Sequence, residues 1–292
     1  MPELPEVETI CRGLSRLIVG KTVVSVRNYD SPKSFPNDPN TVEQFLCGAR
    51  VSSVSRRAKV LLIDLSSKYT LVVHLKMTGQ LVFQGSERWG GGHPSDSFIN
   101  TLPDNTTREH IEFTDGSRLY FNDLRKFGWM KLIPTDEVSS ISFMRKVGPE
   151  PLDDSFTSKE FIPRIRRRNG TTVKAAILDQ TVLAGVGNIY ADESLWLAKI
   201  HPATRVRDVS DRQLTELLTH IKAVMTLSIE HGGSTDRNYI DAEGNKGSYL
   251  TFANVFRREG QACWSHPDVA IEKIKVAGRG THVCPVCQPM QK

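Results

Sequence analysis

Pro2 followed by Glu3 sets an amine beside a carboxyl group at the extremity of this 292-residue chain. Proline in second position is small enough for the initiator methionine to be trimmed, which leaves a secondary amine as the new N-terminus. An α-amino group titrates about two to three units below lysine, so much of it is neutral near pH 7. Its condensation with an aldehyde gives a cationic iminium, an electron sink for elimination chemistry. Glu3 adds a carboxyl group for proton transfer. A Met-Pro start also simply begins helices, where proline fits the first turn and glutamates complement the dipole. The rest of the chain must decide.

A second set of chemical residues lies near the other end. Cys263-x2-His266 and Cys284-x2-Cys287, separated by seventeen residues, have the two-knuckle spacing of a structural zinc site. His282 is the alternative fourth ligand. Between the knuckles, Ile274 to Thr281 reads as a hairpin with Arg279 at its tip. One arginine on a rigid hairpin suits bidentate clamping of phosphate.

The elements that must position these groups follow from periodicity. Leu4, Val7, Ile10, Leu14 and Ile18 recur at three- and four-residue steps, which predicts a helix over 2–19 ended by Gly20. Short β-type segments follow: Thr22–Val26, Val51–Val54, Val60–Leu65, Thr70–Met77, Gln80–Phe83, His110–Phe113, Arg118–Asn122 and Trp129–Ile133. Their spacing predicts a β-sandwich or barrel. The stretch between Phe83 and Ile111, rich in Gly, Ser, Pro and Asn and containing Gly90-Gly91-Gly92, predicts a mobile surface loop. Gly148-Pro149-Glu150-Pro151 marks a linker, and helices are expected over 157–168, 174–183, 188–198 and 210–231. The last opens on Ser210 and Gln213 in capping-box register and stops at Gly232-Gly233. The whole is an α+β multidomain chain: N-terminal helix and β-sandwich over 1–135, linker over 136–152, a helical domain over 153–252, and a zinc-finger hairpin over 253–292.

A net charge of +5 makes the chain modestly basic, and the charge is clustered. Arg164-Ile165-Arg166-Arg167-Arg168 carries four arginines in five residues, and six Lys/Arg face three acids from Arg257 onward. Such runs are solvated faces in most proteins and phosphate footprints in a DNA binder. The apolar runs are far too short to span a bilayer, and no secretory signal opens the chain. Five cysteines, three of them in the zinc segment, do not form a disulfide framework and point to a reducing cytosol.

The chain resembles the bacterial formamidopyrimidine-DNA glycosylase family nearly end to end. The resemblance rests on Pro2-Glu3-Leu4-Pro5-Glu6-Val7-Glu8-Thr9, Arg56-Arg57-Ala58-Lys59, His74-Leu75-Lys76-Met77-Thr78-Gly79 and Asp123-Leu124-Arg125-Lys126-Phe127-Gly128. It continues through Gly148-Pro149-Glu150-Pro151, Gly185-Val186-Gly187-Asn188-Ile189-Tyr190 and the zinc hairpin. It implies a bifunctional glycosylase and AP lyase acting on oxidised purines in damaged double-stranded DNA. Pro2 would attack C1′ and form the iminium, and Glu3 would protonate the sugar and relay protons. Lys59 would assist β-elimination, and Arg279 would clamp phosphates and support δ-elimination. Met77, Arg125 and Phe127 occupy the family's void-filling positions, as a flipped nucleotide requires. Asn188 would open the helix–two-turn–helix element and donate to phosphate. His74 and Lys174 match DNA-contacting positions, and Glu6 lies toward the base pocket. The loop near 232–252 would cap the extruded base. One structural zinc, a monomer without obligate protein partner, and a bacterial cytoplasmic setting complete the implication.

This sequence also departs from the family's pattern. The first knuckle is Cys-x2-His where Cys-x2-Cys is usual, and the expectation is a Cys3His site of Cys263, His266, Cys284 and Cys287. Phe256 replaces a common phosphate-contacting tyrosine, with Arg257 adjacent. Arg108 stands where a DNA-contacting histidine is common, so that contact does not transfer. Two other readings compete: an endonuclease-eight-like pyrimidine enzyme, which typically has glycine where Leu4 stands, and a catalytically silent lesion-binding module, against which Pro2, Glu3 and Lys59 argue.

Overall fold

The computed structural model describes residues 2–29, 32–93, 95–234 and 249–290. Two compact units divide the chain: Met1–Arg145 with Gly232–Ser248, and Lys146–His231 with Tyr249–Lys292.

The first unit begins with α1 (Leu4–Ile18), which buries Leu4, Val7, Ile10, Leu14 and Ile18 as the periodicity predicts. Then come β1 (Val23–Asn28), α2 (Pro39–Phe45), β2 (Val51–Arg57), β3 (Val60–Leu65), β4 (Tyr69–His74), β5 (Gly79–Gln84), β6 (Arg88–Gly92), β7 (Thr107–Phe113), β8 (Arg118–Asp123) and β9 (Trp129–Pro134). A five-stranded sheet runs β1-β7-β8-β5-β6 and a four-stranded one β2-β3-β4-β9, with neighbouring strands antiparallel throughout. Alternate residues point inward. Leu61, Ile63, Leu71 and Val73 from one sheet meet Leu81, Phe83, Leu119 and Phe121 from the other in a core that α1 joins. This is the expected sandwich. The short helix α3 (Ser142–Lys146) follows β9.

The stretch expected to be a mobile loop is otherwise. Arg88–Gly92 is a strand paired with β5 from Gln84 to Gln80. Its glycines mark close approach rather than freedom. A Cβ on Gly90 would sit 2.4 Å from the Phe98 ring, and one on Gly91 2.7 Å from both Ile10 and Trp89. Phe98 and Leu102 pack on Val82 and Tyr120, and Arg88 donates to the carbonyls of Ser97 and Asn100. Asp104 holds the turn before β7 through Ser97, Thr106 and Thr107.

The second unit contains α4 (Ser158–Arg166), α5 (Val173–Leu178), α6 (Asn188–Leu197) and α7 (Asp211–Glu230). It ends in two hairpins, β10 (Ala262–Cys263) with β11 (His266–Ala270) and β12 (Glu272–Val276) with β13 (Arg279–Val283). The Ser210–Gln213 capping box forms as expected. α5 stops five residues earlier than its apolar pattern suggests, because Asp179 turns back to accept the Thr181 N–H and hydroxyl. α6 packs against α5, α7 and β13, with Tyr190 and Ser228 hydroxyls 2.6 Å apart. Among the described residues no helix is long and apolar enough to cross a membrane. Met1 and residues 235–248, most of the expected capping loop, lie outside the described residues.

Candidate functional site

In the first unit, Pro2 directly precedes the N-cap of α1. Glu3 is extended (φ −96°, ψ −171°) and forms a reciprocal capping box: its side chain accepts from Glu6 N–H, and Glu6 Oε2 accepts from Glu3 N–H at 2.8 Å. Pro2 and Glu3 are buried. The other Glu6 oxygen accepts from Ser234 N–H and Oγ at 2.8 and 2.6 Å, so this carboxylate holds the start of the segment after Gly233.

Lys59 lies in the two-residue turn between β2 and β3, where Arg57 pairs with Val60 and Ala58 takes φ +54°. It is buried, and its hairpin is tied to α1 by Arg56 Nε on Glu8 Oε2 at 2.7 Å. His74 ends β4 with Nδ1 accepting from Lys76 N–H at 3.1 Å, which assigns the ring proton to Nε2. The edges of Trp129 and Phe143 close around it. Burial above all, then the charges of Lys76 and Lys59, push this imidazole down to about 3. It is therefore a neutral donor within electrostatic reach of Lys59.

The strand expected to run through Met77 stops at His74, because Lys76 takes φ +52° and turns the chain. Met77 is consequently 44% exposed rather than core, and Phe127 is 55% exposed. Arg125 lies between them, Nη1 3.2 Å from the Met77 sulfur and its guanidinium carbon 4.9 Å from the Phe127 ring centre. The three expected wedge residues thus form one exposed cluster on two loops. Asp123, missed in the sequence, fixes both loops. Its buried carboxylate accepts from the Thr78 hydroxyl, from Arg125 N–H at 3.2 Å and from Gly128 N–H at 2.6 Å. Its aspartate-first position in the Asp-Leu-Arg-Lys-Phe-Gly motif was the available signal, since aspartate accepts from the backbone N–H two residues on. Arg108, only 6% exposed, does not face solvent as a phosphate contact would. Its Nε donates to Asp123 O at 2.9 Å and its Nη2 to Asn105 O at 3.2 Å.

In the second unit, Arg279 is exposed and opens β13, opposite Val276. Ala277 and Gly278 between them have φ +49° and +75°, the two positive angles of a type I′ turn. Asn188 is the first residue of α6, and its Nδ2 donates to Gly280 O at 3.0 Å. Lys174 differs most from expectation. It is fully buried, with Nζ 2.6 Å from Asp192 Oδ1, 2.7 Å from Thr281 Oγ1 and 3.3 Å from Gly280 O. A fully buried ammonium cannot itself touch a phosphate, so this structure gives Lys174 the hairpin rather than DNA. Glu193, also missed, accepts from the N–H groups of Asn254, Val255 and Phe256 and so fixes the entry to the hairpins. The available signal was the run Asp192-Glu193-Ser194 set between the apolar residues Tyr190-Ala191 and Leu195-Trp196-Leu197, where the structure buries all three.

Cys263, His266, Cys284 and Cys287 present one ligand atom each, all within 4.8 Å of one another. Cys263 and Cys287 sulfurs are 3.7 Å apart, close to the roughly 3.8 Å edge of a tetrahedron with Zn–S bonds near 2.3 Å. His266 Nδ1 is 3.2 Å from Cys287 Sγ. His282 is engaged elsewhere, with Nδ1 3.1 Å from Asp192 and Nε2 3.2 Å from Glu259. The donor set fits one structural zinc ion, with His266 as the fourth ligand.

A capped N-terminal helix leading a β-sandwich, a helical unit and a hairpin carrying a zinc-ligand set are the architecture of a DNA glycosylase. Residues 1–130 match the formamidopyrimidine-DNA glycosylase N-terminal domain, residues 147–239 the H2TH domain of those enzymes, and residues 261–289 the zinc finger found in FPG and IleRS. The formamidopyrimidine-DNA glycosylase of Herpetosiphon aurantiacus is 40% identical over 289 residues, covering 99% of this chain and 100% of that protein. The Lactococcus lactis Fpg complexed with abasic-site DNA has a TM-score of 0.87 at 34% identity, covering 99% of this chain and 100% of its own. A point mutant of that enzyme complexed with Fapy-dG-containing DNA matches equally, with a TM-score of 0.87 at 34% identity and the same coverage. The chain belongs to the formamidopyrimidine-DNA glycosylase family.

Proposed function

We propose that this chain is a bifunctional DNA glycosylase and AP lyase that removes oxidised purines, 8-oxoguanine and formamidopyrimidines, from duplex DNA in base excision repair. The observation that carries the reading is the buried Pro2 standing immediately before the cap of α1, with the buried Glu3 as that cap. Once Met1 is removed, the Pro2 nitrogen attacks C1′ and the base leaves with the bonding pair and a proton. Glu3 protonates O4′ as the sugar ring opens, giving the Pro2–C1′ iminium. The iminium acidifies the C2′ proton, whose loss expels the 3′ phosphate; a further elimination expels the 5′ phosphate. Lys59 assists the first elimination and holds a phosphate, and Arg279 clamps the phosphates around the lesion.

Met77, Arg125 and Phe127 fill the space the extruded nucleotide leaves, which their exposure as one cluster supports. His74 contributes as a neutral donor, and Asn188 with the start of α6 faces the backbone. Cys263, His266, Cys284 and Cys287 would hold one zinc ion, which would act structurally by keeping the hairpin rigid. We place the protein as a monomer in the bacterial cytoplasm, where its unpaired cysteines remain reduced.

The test is borohydride trapping on duplexes with 8-oxoguanine opposite C or thymine glycol opposite A, using protein whose loss of Met1 is verified by mass. A trapped adduct favouring 8-oxoguanine is expected. No adduct on any lesion overturns the enzyme reading, and preference for thymine glycol transfers the chain to the pyrimidine branch. Full trapping by Pro2→Gly would remove Pro2 from the mechanism.

A further inference from the structure

The buried Asp192 shares α6 with Asn188 and is not among the groups that handle DNA, yet its two oxygens divide between α5 and β13, the strand that carries Arg279. Oδ1 accepts from Lys174 Nζ on α5 at 2.6 Å. Oδ2 accepts from the backbone N–H of His282 on β13 at 3.0 Å and lies 3.1 Å from its Nδ1. Lys174 in turn reaches Thr281 Oγ1 and Gly280 O, the residues directly after Arg279. Asn188, from the same helix as Asp192, donates to that Gly280 carbonyl as well. Three consecutive residues of the strand behind Arg279 are therefore pinned to α5 and α6 through one carboxylate and its ammonium.

We propose that Asp192 is a positioning residue for Arg279: it fixes the angle at which the hairpin tip presents the guanidinium to phosphate. The inference rests on the reading of Arg279 as the phosphate clamp. Four physical points support it. Zinc held by Cys284 after β13 would fix the far end of the hairpin, but the tip itself is a two-residue turn that contains no metal ligand. A buried Lys–Asp pair of this kind is weak as a stabilising device, because desolvation offsets the attraction; its better-attested use is to fix one geometry. Asp192 also keeps Lys174 from being an uncompensated buried charge, so its removal leaves the ammonium to seek water or a new partner. A bidentate clamp is sensitive to such misplacement, since both of its bonds depend on the angle of one plane.

The experiment is a double-mutant cycle on the zinc-loaded full chain, with Asp192→Asn, Arg279→Ala and both together, read as strand cleavage in single turnover and as DNA affinity. Asn keeps the shape and one acceptor but removes the charge. Asp192→Asn should slow cleavage by about 10- to 100-fold with zinc content unchanged, and by less than about threefold when Arg279 is already alanine. Equal losses in both backgrounds would show a merely structural role and overturn the proposal. So would wild-type cleavage by Asp192→Asn. If Arg279→Ala itself cleaves normally, it is the clamp reading that fails, and the two failures are thereby distinguished. Should Asp192→Asn lose zinc or fold, the pair Lys174→Met with Asp192→Leu removes both charges with packing retained. It should then fold, bind zinc and still show the Arg279-dependent loss; wild-type cleavage by that pair overturns the proposal.

Discussion

Glu109 offers the sharpest energetic test, because it is an acid buried completely in β7 with one oxygen left over. Oε1 accepts from Ser34 Oγ at 2.7 Å and Asn28 Nδ2 at 2.9 Å, while Oε2 has no hydrogen-bond partner among the described residues. Burial raises its carboxyl from 4.5 to about 7, against smaller lowering effects from Ser34 and Arg108. The folded state therefore holds the proton more tightly than the unfolded chain between those two values. A raised folded value means that stability is fully present below 4.5 and is lost as pH climbs through 7. At about 1.4 kcal/mol per unit, the loss amounts to roughly 3 kcal/mol. Glu109→Gln removes the titration while keeping an acceptor for Ser34 and Asn28. Its amide N–H groups face the site that Oε2 leaves without a partner, which costs about 1–3 kcal/mol at every pH. Comparing pH 5 with pH 8 cancels that constant. Urea unfolding followed by tryptophan fluorescence should show the variant gaining about 2–3 kcal/mol on wild type between those pH values. Parallel pH profiles, agreeing within about 0.5 kcal/mol, would refute the assignment of a buried, proton-holding Glu109.

The remaining predictions concern the groups around the proposed site. His74, pushed down to about 3, stabilises the fold above 6.5 and loses that contribution as pH falls toward 3; His74→Asn should flatten acid unfolding over that window, seen by circular dichroism. Asp123→Asn keeps one acceptor, for Thr78 and Arg125, and sets an amide donor against the Gly128 N–H; it should lower single-turnover excision by roughly tenfold or more through the wedge loops, with zinc content unchanged. His266→Ala should reduce metal below one zinc per chain and weaken DNA binding; unchanged metal content would exclude His266 as a ligand.

Much of this molecule was legible because its signals are local. The alternation of Leu61, Ile63 and Leu65 needs no knowledge of a partner strand to announce a buried face, and the four zinc donors sit on two tight turns within one segment. What escaped was set by distant partners. Strand β6 is glycine at Gly90 and Gly91 because Phe98 and Ile10 occupy the space a side chain would take, so composition alone imitates a flexible loop. Helix α2 carried a readable start, Asp38 before Pro39, but buries no residue and so leaves no periodic stripe.

The site residues divide by the same rule, and the division bears on function. Met77 and Phe127 are apolar side chains left in solvent, while Lys174, Asp192 and Glu193 are charged ones taken out of it. Each reverses the ordinary preference and is held there by bonds to residues far along the chain: Asp123 to Thr78 across 45 positions, Asp192 to His282 across 90, Glu193 to Val255 across 62. Exposed wedges are useful only if something else supplies their rigidity, and buried charges persist only if every pole is answered. The acids that sequence reading passed over are therefore the partners that its chosen residues require. Moving one of them should disturb the reaction without touching any group that meets DNA.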